Sequence, residues 1–393
     1  MGARTHASAA ALLAACIGCN PAAAQPAIYL VDTPDSDPQD VSASGEVVVG
    51  MARDNSGRPR WFRWTLSGGV ELVGAADDSL EDTAFGVSGD GSVLVGQSRN
   101  RAHLWTEPGG ARPLGDLDGQ RTWSEAFGAT HDGGLIVGTA GEDPLQMGFL
   151  WSERDGMTGL GGLHDPQGRS VATAVTAEGA TVVGAVDEGG ENIHPALWEA
   201  GEGWHVLENL PDWNRFGHAQ AVSSDGGHLV GFVSDGNVRR AFRWERATEE
   251  FTLLPNEVNP SGNFFALDVS DGGRQVVGSI AKDGSSRAVI WDEEHGTRLL
   301  AKALHDDYVL DLRGWTLTDA RAISRDGSVI TGQAVYSGLF GERAMASEIG
   351  FVAIVPGPGT AAPLLAMCLT GARRARRASP RGYAGPESRA SGA

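Results

Sequence analysis

Short apolar runs of four to six residues, each cut off by a polar or glycine-containing turn, fill the chain from about residue 27 to 355. One stretch shows the rhythm: TAFGVS at 83–88, SVLVG at 92–96, AHLW at 102–105 and ARPLG at 111–115. Runs this short, bounded by turns, predict β-strands. No stretch sustains a 3.6-residue period for ten residues, which disfavours a helical repeat. Asp-Gly pairs at 90–91, 132–133, 225–226, 271–272 and 326–327 are hairpin signals, because such turns need positive φ.

The pattern recurs seven times. The phrase reads VSASGEVVVG at 41–50, VSGDGSVLVG at 87–96, ATHDGGLIVG at 129–138 and VTAEGATVVG at 175–184. It continues as VSSDGGHLVG at 222–231, VSDGGRQVVG at 269–278 and ISRDGSVITG at 323–332. The closing glycines Gly50, Gly96, Gly138, Gly184, Gly231, Gly278 and Gly332 are 46, 42, 46, 47, 47 and 54 residues apart. A second phrase follows, ending at Trp64, Trp105, Trp151, Trp198, Trp244 and Trp291, with GFVAIV at 350–355 in the last unit. Each unit thus predicts a four-stranded antiparallel meander, which cannot bury both faces unless neighbours stack on it.

The predicted fold is all-β: a seven-bladed β-propeller of four-stranded antiparallel blades. The last unit supplies three strands and stops at Val355, while AIYLVDTPD at 27–35 stands ahead of the first unit. That segment is predicted to be the missing outer strand, a latch joining the two ends and leaving no open ring edge. An open solenoid of seven coils is the structural alternative. The repeated Trp residues read as packing rivets between blades, and the closing glycines as tight passages or positive-φ positions.

Outside the repeats the composition changes. Residues 1–25 pair Arg4 with an apolar run and Ala22-Ala23-Ala24, the pattern of a cleaved export signal. The body spans 26–355. Residues 356–377 carry a Pro/Gly motif, an apolar stretch at 361–372 and an arginine cluster, and 378–393 offers almost nothing to bury. A stretch of twelve is too short for a standard span of about 20 residues, so it reads as a weak or transient anchor. The three cysteines, Cys16, Cys19 and Cys368, fall outside 26–355, so the body has no disulfide and no thiol chemistry. A formal charge of −19 argues against nucleic acid and anionic lipid as partners.

The phrase V-S-x-D-G-x-x-V-V-G followed by A-F-x-W resembles the HAF family of extracellular repeats in bacterial exported proteins, across nearly all of 27–355. The resemblance implies an exported, β-rich, repeated domain. The tail resembles a PEP-type C-terminal sorting signal, carried by Pro356, Pro358, Gly359 and Thr360, then Arg373, Arg374, Arg376 and Arg377. It implies recognition by a sorting protease at the membrane, cleavage near the motif, and a cell-envelope or extracellular location.

Chemistry is sparse by comparison. The ten histidines show no ligand spacing, and neither a G-x-S-x-G elbow nor a P-loop is present. Single acids in the turns are ordinary turn chemistry, whereas calcium needs several converging oxygens. No catalytic residue, metal site or cofactor is therefore expected. Trp204, Trp213 and Trp315 do not repeat and lie in or near loops, which makes them the candidate ligand contacts. The expected function is a non-catalytic binding or structural module of the envelope or matrix, a monomer presenting loops to an extracellular polysaccharide or another envelope protein. The alternatives are a polysaccharide-active enzyme, which would need acids converging on one propeller face, and a periplasmic assembly scaffold.

Overall fold

A turn that needs positive φ and a glycine that tolerates close approach recur in every unit, and together they shape its sheet. In the computed structural model the second unit comprises Thr83–Val87, Val93–Ser98, Arg101–Thr106 and Gly110–Pro113, paired antiparallel in that order. Gly91 in its first turn has φ of 75°. The Asp90 carboxylate locks that turn, accepting bonds from the Ser92 N–H at 2.9 Å and the Ser88 hydroxyl at 2.7 Å. The structure describes residues 25–357 except 34, 75–81, 118, 120–122, 143–145, 190–191, 212–215, 337–338, 341–342 and 345–346. Residues 1–24 of the export signal expected at 1–25, Trp213, Pro358, Gly359, Thr360, Arg373, Arg374, Arg376 and Arg377 therefore lie outside the described residues.

Four-stranded antiparallel sheets recur along the chain, the blade-like repeat of a β-propeller. Units four and five are also joined by one parallel bridge between Ile193 and Phe216. The first strand of each unit is Asp37–Val41, Thr83–Val87, Ser124–Ala129, Ser170–Val175, Phe216–Val222, Asn263–Val269 or Trp315–Ile323. Every one is bulged. Pairing with the second strand steps over Gln39, Phe85, Phe127, Thr173, Gln220, Leu267 and Arg321 in turn.

The closing glycine sits opposite that bulge. A Cβ at Gly50 would lie 2.1 Å from the Asp37 carbonyl oxygen, and one at Gly278 1.9 Å from that of Phe265. The same collision, at 1.9 to 2.1 Å, awaits a Cβ at Gly96, Gly138, Gly184, Gly231 and Gly332. Close passage is the reason for these glycines. None of them has positive φ, which corrects the second half of the sequence expectation.

Apolar packing then ties sheet to sheet. Among the described residues, seven buried clusters each draw side chains from two neighbouring units. Trp151 packs with Val95 and Leu104 of the unit before it, and Trp244 with Val183 and Leu197. Trp64 packs against Ala322, Val329 and Val352, so the first unit lies on the last. Hydrogen bonds run in parallel through the turns. Ala43 donates to Gly89, Asp90 to His131, His131 to Ala177 and Ala177 to Ser224. Ser224 N–H donates to the Asp271 carboxylate, Asp271 to Arg325, and Arg325 back to Ala43 at 3.2 Å.

The N-terminal strand Ala27–Leu30 pairs antiparallel with the last strand, Ser347–Ile354, as the outer strand of that sheet. Beyond it Val31 is fully buried, its N–H donating to the Gly350 carbonyl at 2.9 Å. The Ser36 hydroxyl bridges the same place, donating to Val31 and accepting from the Gly350 N–H. One element differs from expectation. The fourth strand of unit six ends at Leu299, and Leu300–Tyr308 is an α-helix inside the longest insertion. Leu300, Ala303 and Leu304 bury one side of it on the core between units six and seven. Nine residues are too few for a helical period to stand out in the sequence, and tertiary packing stabilises it.

One deletion and one substitution test this architecture. Deleting residues 26–34 removes Ile28 and Val31 from the core and should lower unfolding stability by about 2–5 kcal/mol, read by chemical denaturation; an unchanged midpoint would refute the latch. Gly278→Ala forces a methyl onto the Phe265 carbonyl and should cost about 1–3 kcal/mol in the same assay, although alanine has the better intrinsic propensity for ordered structure.

Candidate functional site

A bulge turns one extra side chain out of the ladder, and here all seven bulged residues line a single cavity of about 510 Å³. It lies at the end of the first strands where the Asp-Gly turns stand, with Ala43, Gly89, His131, Ala177, Ser224 and Arg325 at its rim. The units are alike in backbone but not in what they project. Phe85 and Phe127, from units two and three, are half-buried and tilt together with ring centroids 5.4 Å apart. Thr173, Gln220 and Leu267 follow, and units six, seven and one carry the charge.

Arg321 is the one charged residue among the bulged positions. Its Nε lies 2.9 Å from the Asp319 carboxylate and a terminal nitrogen 3.9 Å from Asp37, while another reaches Gln39 Oε1 at 3.4 Å. Burial pushes both acids up despite that guanidinium, and Asp37 also feels Asp319 and Glu348. At the rim Arg325 is paired with Asp271. Both arginines are thus already neutralised by carboxylates.

Directly after the bulge of units one and six stand Asp40 and Asp268. Asp40 accepts from its neighbour Val41 N–H at 2.7 Å and from Val87 N–H of unit two at 2.9 Å. Asp268 repeats the arrangement with Val269 N–H at 2.8 Å and Ile323 N–H of unit seven at 2.8 Å. Each carboxyl is recessed in the cavity wall and also clips two units together. Burial pushes Asp40 up to about 8, and the neighbouring charge of Asp268 adds to this while the two N–H bonds oppose it. Asp268 is pushed to about 7 by burial, again against its N–H bonds. Two carboxyls raised by burial and lining one cavity make this the candidate acid–base site.

The tryptophans named from sequence fare differently. Trp204 is 4% exposed, and its indole N–H donates to the Gly161 carbonyl at 3.1 Å, so it is committed to the core between units three and four. Trp315 is half-buried at the start of its strand, with its ring 4.7 Å from that of Tyr336. Neither lines the cavity. Pro356 accepts a 3.4 Å bond from the Tyr308 hydroxyl where the chain leaves the last strand.

Sequence reasoning passed over Asp40 and Asp268, although a signal existed. Aligned on the closing glycines, the other units place Gly86, Gly128, Ala174, Ala221 and Ala322 at that position. Two carboxylates among small residues stand out there. Among the described residues, no group of three or more His, Cys, Asp or Glu is arranged to hold a metal ion.

No protein-family model matches this chain, and no curated protein matches it. Solved structures do. An oligogalacturonate lyase from Vibrio parahaemolyticus is 10% identical with a TM-score of 0.57, covering 84% of this chain and 93% of its own. An oligogalacturonate lyase in complex with manganese is 12% identical with a TM-score of 0.54, covering 85% and 96%. A puromycin hydrolase is 19% identical with a TM-score of 0.52 over 81% of this chain, which spans only 52% of that protein. The chain likewise spans 63% of the Acinetobacter baumannii TolB that it matches.

These likenesses show a β-propeller fold that solved lyases and a hydrolase also use. Acids do converge in its cavity, through Asp40 and Asp268. The expectation of a non-catalytic binding or structural module is corrected by these likenesses, which favour a catalytic role. The physical reason is that the acids in the turns are read one by one in the sequence, whereas Asp40 and Asp268 share a cavity only once the strands pack.

Raised carboxyls make a pH prediction. Because the folded values of about 8 and about 7 exceed the usual 3.8, the folded state holds these protons more tightly than the unfolded chain. Their contribution to stability is complete below pH 3.8 and is lost as pH rises through 7 and 8. The urea midpoint should therefore fall between pH 5 and 8 in the wild type, and the Asp40→Asn/Asp268→Asn double variant should flatten that slope.

Proposed function

We propose that the seven units close into a seven-bladed ring and that this chain is an exported enzyme cleaving glycosidic bonds of a polysaccharide in the channel. The turn-to-turn hydrogen bonds returning to Ala43 and the packing of Trp64 on unit seven support closure. The paired carboxyls of Asp40 and Asp268 carry the catalytic reading. Two neighbours matched over most of both chains are named as acting on oligogalacturonate, which supports a sugar polymer as the substrate class. Export rests on the signal-like start, the arginine-bearing tail and the resemblance to extracellular repeats.

Roles follow from proton affinity. Asp40 keeps its proton to the higher pH and donates it to the glycosidic oxygen as the bond from C1 to that oxygen breaks. Asp268 ionises first and accepts a proton from the water whose oxygen bonds to C1. The products are a sugar with a free anomeric hydroxyl and a chain ending in a new hydroxyl. Phe85 and Phe127 offer the apolar face against which a pyranose ring stacks.

Reducing-end release from a polysaccharide panel tests the proposal. Asp40→Asn and Asp268→Asn should each lower kcat by about 10²–10⁴-fold while the folded state persists. The wild-type pH–rate profile should have limbs near 7 and 8. Full activity in both variants, or no cleavage of any glycan by the wild type, would refute it.

A further inference from the structure

The cavity has an electrostatic gap. Its arginines are spoken for, Arg321 by Asp37 and Asp319 and Arg325 by Asp271. Asp40 and Asp268 are held by main-chain N–H groups, and the charged neighbour that shifts Asp40 is another carboxyl. Among the described residues no lysine, arginine or histidine pairs with either acid. The half-buried rings of Phe85 and Phe127 line the same cavity. A carboxyl pair that lacks a cation, in one cavity with half-buried aromatic rings, suits one ligand class: an ammonium group carried on a ring that can stack. A uronate would meet the repulsion of the same acids.

We infer that the channel takes an amino-bearing sugar chain, a protonated amine paired with Asp268 while Asp40 keeps its proton, and its rings stacked on Phe85 and Phe127. This rests on the channel being the reaction site, and it adds the charge of the substrate. Binding an ammonium favours the ionised Asp268, so a proton leaves the protein as the ligand enters.

Titration calorimetry with a short β-1,4-glucosamine oligomer, its fully N-acetylated form and a galacturonate oligomer, at about pH 6 where the amines are charged, tests this directly. The glucosamine oligomer should bind with proton release, seen as a dependence of the heat on buffer ionisation enthalpy. The N-acetylated and galacturonate oligomers should bind about 10–100-fold more weakly or not at all. Asp268→Asn should weaken the glucosamine oligomer by a similar factor, and Phe127→Ala should weaken it without changing proton release. Equal binding of the N-acetylated oligomer, tighter binding of the uronate, or an unaltered affinity in Asp268→Asn would overturn the inference. Binding of the amine form without cleavage would uphold it and refute the catalytic reading. Cleavage of a neutral or acidic polymer, with no binding of the amine form, would do the reverse.

Discussion

The carbonyl that passes over the closing glycine of each unit governs the rest of this structure. At about 2 Å from where a Cβ would stand, it leaves room for hydrogen alone. That approach lets the first strand take its bulge, and the bulge turns one side chain per unit out of the ladder. Strand after strand, the residues so turned line the cavity. A local steric fact, repeated seven times, thus becomes a set of cavity-lining positions that can differ in chemistry without disturbing the sheets. The buried alanines Ala84, Ala126, Ala172, Ala219, Ala266 and Ala320, which pair with the closing glycines, keep the same passage narrow.

Cohesion between units comes from burial and main-chain pairing, since 26–355 contains no cysteine. Each fully buried Val, Leu, Ile or Phe side chain is worth about 1.5–3 kcal/mol relative to exposure, and every inter-unit cluster holds buried side chains of this kind. The N-terminal strand contributes in a different way. By pairing with the last strand it couples the two chain ends, so fraying at one end costs contacts at the other. Val31 and Ser36 fix that junction through one apolar and one polar anchor.

The same packing explains the charge distribution in the cavity. Units six, seven and one meet where Asp268, Arg321 and Asp40 project, so groups far apart in sequence share one low-dielectric wall. Arg321 is consumed by two carboxylates, which leaves the acids beyond it protonated near neutrality rather than ion-paired. Asp40 and Asp268 also satisfy main-chain N–H groups of the next unit, at Val87 and Ile323. Site chemistry and inter-unit adhesion therefore draw on the same atoms, and a change to either acid alters both.

Periodicity made the architecture legible in the sequence. The spacing of the closing glycines, the Asp-Gly turns and the tryptophans implied four strands per unit, and the strandless end of the last unit implied a partner at 27–35. These features are local, since a turn or a strand is chosen by a few adjacent residues. The site was not legible on those terms, because what repeats reports packing and what deviates reports chemistry. Asp40 and Asp268 sit in the first and sixth units, and only the packing of units six, seven and one brings them to the same wall. Trp204 shows the converse, a nonrepeating aromatic that looked free in sequence and is buried by a neighbouring unit. The helix Leu300–Tyr308 likewise needed the core of units six and seven to hold nine residues in order. Local pattern decided the strands; burial and proton affinity depend on what the folded chain brings alongside, and that the tertiary structure alone decided.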